Sequence, residues 1–567
     1  MIVWLGLALL VAWCIGMFGR GYWTPDEPRE ADIAWRMSWQ ADKAVPLLAG
    51  EPFCEKPPLT YWLAAVPIGL LGERAWIARL PNLLYALITA LGVGLLATRS
   101  AGRFAGLVAA ACMSTFLLSY QVAIWLATDA PLLASVSVAL LGAYVGFYAT
   151  AGKERLRGYL LMHAALAAGF LSKSAVAWMV PAMAILTLSI WERRWRELLR
   201  WELYAGLLLQ AAIILPWVWF VYRGDDGPQH LKTFFWNNLV GRFAAVDAPP
   251  DLQYAAAHRN SPGKYLIELP MYLFPWTLLV IAAARRAWRQ RQNSRHDNRA
   301  VRFAVAASLP PLILLSLAAT ARNIYLAPAL PGVALLIAWW AREILPGPDR
   351  WDVRALRATA ALLLLGVVVC AAAFILVAAD SSSGISRHWT FVAIAGLGLL
   401  AAAFLSARAW AAAADHVVYS QWALLLAYCA LLIGPASQLY RQVDTWQDLA
   451  TIGHAVERGA LGRPLILLAP DETTRAVIDM YARTAVGSIP GPLDAAGIER
   501  VRTAAAAAAP DSLFLVQLPK LAQPGLPWRA RPQETALPAW IEAANLQPIE
   551  TYSVPYGRRY ALLRFRR

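Results

Sequence analysis

Trp23-Thr-Pro-Asp26-Glu27-Pro-Arg29-Glu30 stands directly after the first apolar run, and Phe53-Cys-Glu55-Lys56-Pro57-Pro58 follows thirty residues later. Both are polar clusters in an otherwise apolar sequence. Ionisable groups are costly at membrane depth, so charges beside a spanning helix mark a candidate functional site. Carboxylates mixed with Lys and Arg suit a substrate that carries a phosphate and a reacting sugar carbon.

The surrounding chain supports a membrane setting. Of its 567 residues, 59% are hydrophobic, and the mean hydropathy is +0.47. Soluble domains are about 45–50% apolar, so the composition reads as a polytopic membrane protein. The 26 tryptophans fit rings held at bilayer interfaces. The net charge of +15 is spread over short loops rather than gathered on one surface, which argues against nucleic-acid binding. Cys14, Cys112, Cys370 and Cys429 lie in apolar runs without metal-type spacing, and Cys54 reads as a small space-filling residue. The first segment lacks a basic start and a small-residue cleavage site, so it reads as a retained spanning helix.

Thirteen apolar runs recur, near 1–18, 76–98, 103–119, 131–150, 159–171, 175–191, 203–222, 266–284, 303–319, 325–341, 358–378, 391–407 and 416–436. The stretch 57–71 is apolar but short and bounded by proline, so it reads as a helix lying at the interface. The loops alternate in charge. Arg99 and Arg103, Lys153 to Arg157, Arg193 to Arg200, Arg285 to Arg302 and Arg342 to Arg357 form a basic set. The positive-inside rule places this set in the cytoplasm. Residues 19–75, the turns at Asp129, Lys173 and Arg322, and the loop 223–265 then face outward. After Ser437 short β-type runs appear at 464–468, 512–516 and 560–565, with a helical stretch at 473–483. The expected fold is therefore mostly α: a membrane domain over 1–437 and an outward α/β domain over 438–567.

Individual residues carry two readings each. Asp26 begins an amphipathic helix, where a carboxylate can cap the N-terminus; the adjacent Arg29 and the second polar cluster favour a site. Lys56 could reach lipid headgroups or bind a phosphate. Asp129 could cap a spanning helix, and Lys173 could snorkel. Phe234-Phe-Trp with Arg242-Phe243, then His258-Arg259, fits either a lipid-phosphate entrance or interfacial anchoring. Arg322-Asn-Ile-Tyr325 opens a later helix at the same outer level. Glu55 and His258 are the candidate pair for a divalent metal.

Taken in order, these segments resemble the GT-C membrane glycosyltransferases that use polyprenyl-phosphate sugars. Within that family they are similar to the bacterial transferases that move 4-amino-4-deoxy-L-arabinose to lipid A, relatives of the protein O-mannosyltransferases. The resemblance covers the Asp26-Glu27-x-Arg29 segment, Glu55-Lys56-Pro57, Asp129, Lys173, Phe234-Phe-Trp, Arg242-Phe243, His258-Arg259 and Tyr325. Departures are Glu30 where the family often has an aromatic, Ser-Lys-Ser around Lys173, and the run Ala321-Arg322-Asn323-Ile324. The resemblance implies a GT-C fold and inverting transfer from an undecaprenyl-phosphate donor to lipid A. It implies a bacterial inner-membrane enzyme with an outward, periplasmic site, and a link to polymyxin resistance. No cofactor is expected to be required, with a divalent metal as the alternative.

In that setting Lys56 and Arg29 are assigned to the carrier phosphate, with Tyr325 as a hydroxyl donor. Asp26 is the first choice to orient or activate the acceptor, with Asp129 and Glu55 as further candidates. Glu27, Lys173, Arg242, His258, Arg259 and Arg322 would line the substrate cavity. A protein O-glycosyltransferase and a lipid or sugar transporter are the competing readings; no internal repeat of the kind transporters show is visible.

Overall fold

The computed structural model describes residues 2–238, 263–291, 299–317, 322–379, 389–519, 537–554 and 557–566. The first helix, α1 (Ile2–Phe18), is apolar on all sides and is followed by a polar turn. Helix α2 (Asp26–Trp39) starts after Pro25 and carries Asp26 and Glu27 in its first turn and Arg36 in its last, which matches the helix dipole at both ends. Its apolar side, including Ile33, Ala34 and Met37, is buried. Pro58 holds the cap position of α3 (Leu59–Leu71), already in a helical conformation. Tyr61, Ala64 and Ile68 of α3 pack on α2, while Val66, Leu70 and Leu71 stay exposed. An amphipathic pair lying along an interface has this pattern.

The apolar runs fall on helices, but fewer qualify as full spans than the thirteen expected. Among the described residues, eight helices are long and apolar enough to cross a membrane, or ten when each of two bent pairs counts as one span. The difference has physical causes. Helix α1 has 17 residues and Val176–Trp191 has 16, both short of the roughly 20 that cross hydrocarbon. Helix Gly152–Lys173 carries Lys153, Glu154, Arg155 and Arg157 in its first turns. The run 103–119 breaks by 67° into Arg103–Thr115 and Leu117–Ile124, with Phe116 extended between them. The run 266–284 bends by 109° across a break that contains Pro275.

Two helices fix the level of the later site. Asp129–Tyr148 and Gly152–Lys173 form a tight antiparallel hairpin. A Cβ on Gly142 would lie 2.5 Å from the Met162 amide nitrogen and 2.6 Å from the Gly158 carbonyl oxygen. The backbones approach closely because both faces are small. The start of the first helix and the end of the second therefore lie together, bringing Asp129 to Lys173. At the other end, ion pairs join the basic loops: Arg99–Glu154 at 3.8 Å, Arg302–Glu192 at 2.6 Å and Arg285–Asp349 at 2.8 Å.

The last apolar span runs over Val417–Gln447. Beyond it lies a five-stranded sheet. A two-stranded hairpin, β1 (Leu47–Leu48) with β2 (Glu51–Pro52), precedes it in the chain. The sheet contains β3 (Leu465–Leu468), β4 (Ala485–Ile489), β5 (Leu513–Leu518), β6 (Leu546–Ser553) and β7 (Arg559–Phe565), in the order β4-β3-β5-β7-β6. Strand β3 is parallel to β4 and β5, whereas β7 is antiparallel to β5 and β6. The apolar runs at 464–468, 512–516 and 560–565 are the three inner strands. The two strands without such a run, β4 and β6, are the edges. Edge strands tolerate the Gly487, Pro548 and Glu550 that disguise them. The helical stretch at 473–483 is a helix over Glu472–Val477 continued by a wider turn over Ile478–Ala482. Its Ala476 and Met480 join the apolar cluster formed by α2 and α3.

Candidate active site

Asp26 is not a cap. Pro25 holds the cap position of α2 with no side-chain bond, and Asp26 turns to two arginines. Arg29 donates to Asp26 Oδ1 at 3.0 Å, and Arg322 donates to Asp26 Oδ2 at 2.7 Å. Burial works to raise the Asp26 pKa, but the charges of Arg29, Arg322 and Lys56 outweigh it and hold the carboxyl below its ordinary value.

Arg29 is the hub of the cluster. It also lies 3.5 Å from Glu30 Oε1 and is paired with Glu472, which arrives from the helix packed on α2. Its Nε is buried and has no hydrogen-bond partner among the described residues. Lys56 is paired with Glu30, whose side chain is 1% exposed. Burial pushes the Glu30 carboxyl up, and Lys56 and Arg29 pull it down further, so it too sits below its ordinary value. Glu30, where the family often has an aromatic, is therefore the counter-ion of the candidate phosphate lysine.

A second pair lies at the hairpin end. Lys173 is paired with Asp129, which occupies the first helical position after Thr128. Capping and snorkelling both give way to this pair. The Lys173 ammonium also lies 4.9 Å from the centre of the Tyr325 ring. The turn Asn323–Ala329 thus links the two groups: Arg322 reaches Asp26, and Tyr325 reaches Lys173. Tyr265 steadies that turn by donating to the Arg322 carbonyl at 2.7 Å. Five of the sequence candidates, Asp26, Arg322, Tyr325, Lys173 and Asp129, are joined in one line, with Arg29 and Lys56 at its head. Glu55 sits half-buried in the turn before α3 and adds its charge to the field at Arg29.

Glu27 is a correction. It does not line a cavity: its side chain is fully buried. It takes bonds from Arg20, from Arg79 Nε and Nη2 at 2.9 Å each, and from the amides of Trp23 and Leu126 at 2.9 Å each. Burial pushes its carboxyl up, yet Arg20 and Arg79 bring it down to about 2. Adjacent residues on a helix point about 100° apart, so Asp26 can face the site while Glu27 faces the core.

The aromatic segment that begins at Phe234 also divides. Phe234 packs edge-on against Trp217 at 5.2 Å, and Phe235 stacks on Phe170 at 6.1 Å. Trp236 is exposed, and Asn238 donates to the Cys54 carbonyl at 2.7 Å. Described up to this point, the segment is packing that ties the outer turn to the second polar cluster. Arg242, His258 and Arg259 lie outside the described residues, as does the His258 half of the candidate metal pair. Among the described residues no group of three His, Cys, Asp or Glu side chains could hold a metal ion.

Sequence inspection missed Arg20, Arg79 and Glu472. Arg79 is hidden in the run read as apolar over 76–98; a lone arginine there was the available signal. Glu472 carries no local signal at all.

The described residues form a mostly helical chain with long apolar helices and charged side chains gathered at one level. In fold it is similar to known membrane proteins. ArnT from Cupriavidus metallidurans, solved in the apo state and bound to undecaprenyl phosphate, superposes with a TM-score of 0.72 at 17% identity, covering 99% of this chain and 97% of that one. A family described as dolichyl-phosphate-mannose-protein mannosyltransferase matches residues 55–220. The undecaprenyl phosphate-alpha-4-amino-4-deoxy-L-arabinose arabinosyl transferase of Pseudomonas aeruginosa (strain UCBPP-PA14) is 29% identical over 334 residues, 58% of each chain. The same-named protein of Yersinia enterocolitica is 26% identical over 374 residues, 66% of this chain and 64% of its own. The matched stretch thus spans less than two thirds of the length of these relatives.

Proposed function

We propose that the protein is an integral-membrane glycosyltransferase that moves 4-amino-4-deoxy-L-arabinose from undecaprenyl phosphate to a lipid A phosphate. In this reading residues 1–437 form the catalytic membrane domain and 438–567 an α/β domain on the same, periplasmic side of the inner membrane. The observation that carries it is the Asp26–Arg29–Glu30–Lys56 cluster set on an ArnT-like fold. Relatives named as aminoarabinose transferases support the choice of sugar.

Departure of the carrier phosphate leaves positive charge on the anomeric carbon, as in glycoside hydrolysis. Cations must meet the phosphate, and a carboxylate must face the sugar. Lys56 and the buried Nε of Arg29, which has no partner among the described residues, are the groups for the phosphate, and Tyr325 supplies a hydroxyl. Asp26 orients the acceptor, which attacks the face opposite the leaving group, so configuration inverts. The cations that offset the leaving group are side chains in this reading. Asp129, paired with Lys173, fixes the rear of the line.

A second reading, transfer of a polyprenyl-phosphate sugar to protein hydroxyls, is favoured by the mannosyltransferase match over residues 55–220. Mass spectrometry of lipid A from cells with and without the protein tests the choice. A sugar-sized mass gain on lipid A that depends on the protein is expected. An unchanged lipid A, with glycosylated peptides instead, overturns the first reading.

A further inference from the structure

We propose that Glu472 is an exchangeable counter-ion for Arg29: its carboxylate holds the guanidinium while the site carries no phosphate and yields it when the carrier phosphate arrives. The inference rests on the assignment of Arg29 to the carrier phosphate and adds a residue from the other end of the chain.

Charge balance comes first. Around Arg29 stand three cations, Arg29, Lys56 and Arg322, and three carboxylates, Asp26, Glu30 and Glu472. Three positive and three negative charges leave the paired cluster neutral before any ligand enters, and Glu55 adds a further negative field at Arg29. A phosphate entering such a cluster meets no net attraction. One carboxylate must give up its partner.

Exposure decides which one. The side chain of Glu30 is 1% exposed and that of Asp26 is 19%, whereas Glu472 is 43% exposed. A carboxylate released into water recovers most of its hydration, and one released in a buried site does not. Glu30 and Asp26 also have second cations, Lys56 and Arg322. Glu472 is therefore the cheapest of the three to displace.

The surroundings allow the exchange without domain movement. Thr473 donates to the Pro25 carbonyl at 3.0 Å, and Ala476 and Met480 are buried against α2 and α3. The helix stays docked while the Glu472 side chain rotates away. Arg29 itself keeps its Asp26 bond and so keeps its place.

The test is a titration of the purified full-length chain in nanodiscs with undecaprenyl phosphate, read by native mass spectrometry. An ion pair with one end open to water is worth about 1 kcal/mol, so Glu472→Gln should bind roughly fivefold tighter than wild type. Thr473→Val, which removes the bond of the same helix to the Pro25 carbonyl but leaves the Glu472 carboxylate in place, should not tighten binding. Binding by Glu472→Gln that is equal to or weaker than wild type overturns the counter-ion role, as does equal tightening by Thr473→Val. A wild-type chain that fails to bind undecaprenyl phosphate overturns the functional reading itself, and the inference with it.

Discussion

Glu27→Gln isolates one buried charge and should cost the fold dearly. Gln keeps the volume and can still accept hydrogen bonds, so packing is preserved. The loss is the negative charge that Arg20 and Arg79 share; the Arg20 and Glu27 side chains are fully buried, and so are those of Arg79 and Glu27. Removing one partner of a buried ion pair typically costs about 3–5 kcal/mol, because the remaining charge is stranded. The proton linkage leads to a similar size. Glu27 falls from 4.5 to about 2, a difference of about 2.5 units, or about 3 kcal/mol. Because its folded pKa is depressed, that stability is fully present above about pH 4.5 and fades as pH falls toward 2. Thermal unfolding in detergent, followed by tryptophan fluorescence, should show the variant melting about 3–4 °C below wild type at pH 7, because a chain of 567 residues shifts by just under 1 °C per kcal/mol. The gap between the two should shrink as the pH is lowered into the range where wild-type Glu27 itself takes up a proton. A variant that melts within a degree of wild type at pH 7 would refute the buried-cage reasoning.

Other outcomes follow from the same geometry. Lys56→Ala should abolish transfer while leaving the melting temperature within a few degrees of wild type, and Lys56→Arg should rescue poorly, because a planar fork is not a point charge; wild-type turnover by Lys56→Ala rules out the phosphate role. For topology, single cysteines placed at Arg289 and at Arg502 in a chain with its five native cysteines removed should react oppositely with an impermeant thiol reagent in intact spheroplasts. Labelling at 289 without lysis would invert the orientation.

Much of the candidate site was legible because charge in an apolar sequence is costly and has to be explained. Asp26, Arg29, Lys56, Asp129, Lys173 and Arg322 all stood out on that ground, with Tyr325 beside Arg322, and ion pairs, ring contacts or a shared turn tie them together. What sequence could not separate was a residue in the site from one beside it. Asp26 and Glu27 are neighbours with the same chemistry, and only the phase of α2 sends one outward and the other into the Arg20–Arg79 cage. Arg79 vanished into an apolar run because its charge is neutralised by a residue 52 positions away. Glu472 meets Arg29 across 443 positions, a pairing set by tertiary packing of the helix Glu472–Val477 on α2 rather than by any local pattern. The edge strands β4 and β6 escaped for the converse reason: with a neighbour on one side only, they need no apolar run.

The electrostatics of Asp26 bear on which acceptor the site suits. A general base works best when its pKa lies near the working pH. Asp26 is held below its ordinary value by Arg29, Arg322 and Lys56, so it is a weak proton acceptor. A Ser or Thr hydroxyl needs its proton removed; a lipid phosphate is already ionised near neutral pH, its second pKa being about 6. The cluster therefore suits an acceptor that asks for positioning rather than deprotonation. Asp26→Asn keeps the size and removes the charge, and it should bind undecaprenyl phosphate at least as well as wild type while losing most transfer. The pH profile separates the roles further. If the acceptor phosphate sets the acidic limb near pH 6, residual transfer by Asp26→Asn should fall with the same midpoint and only a lower plateau. A limb that disappears in the variant would make Asp26 the titrating base and return the protein-hydroxyl reading to first place.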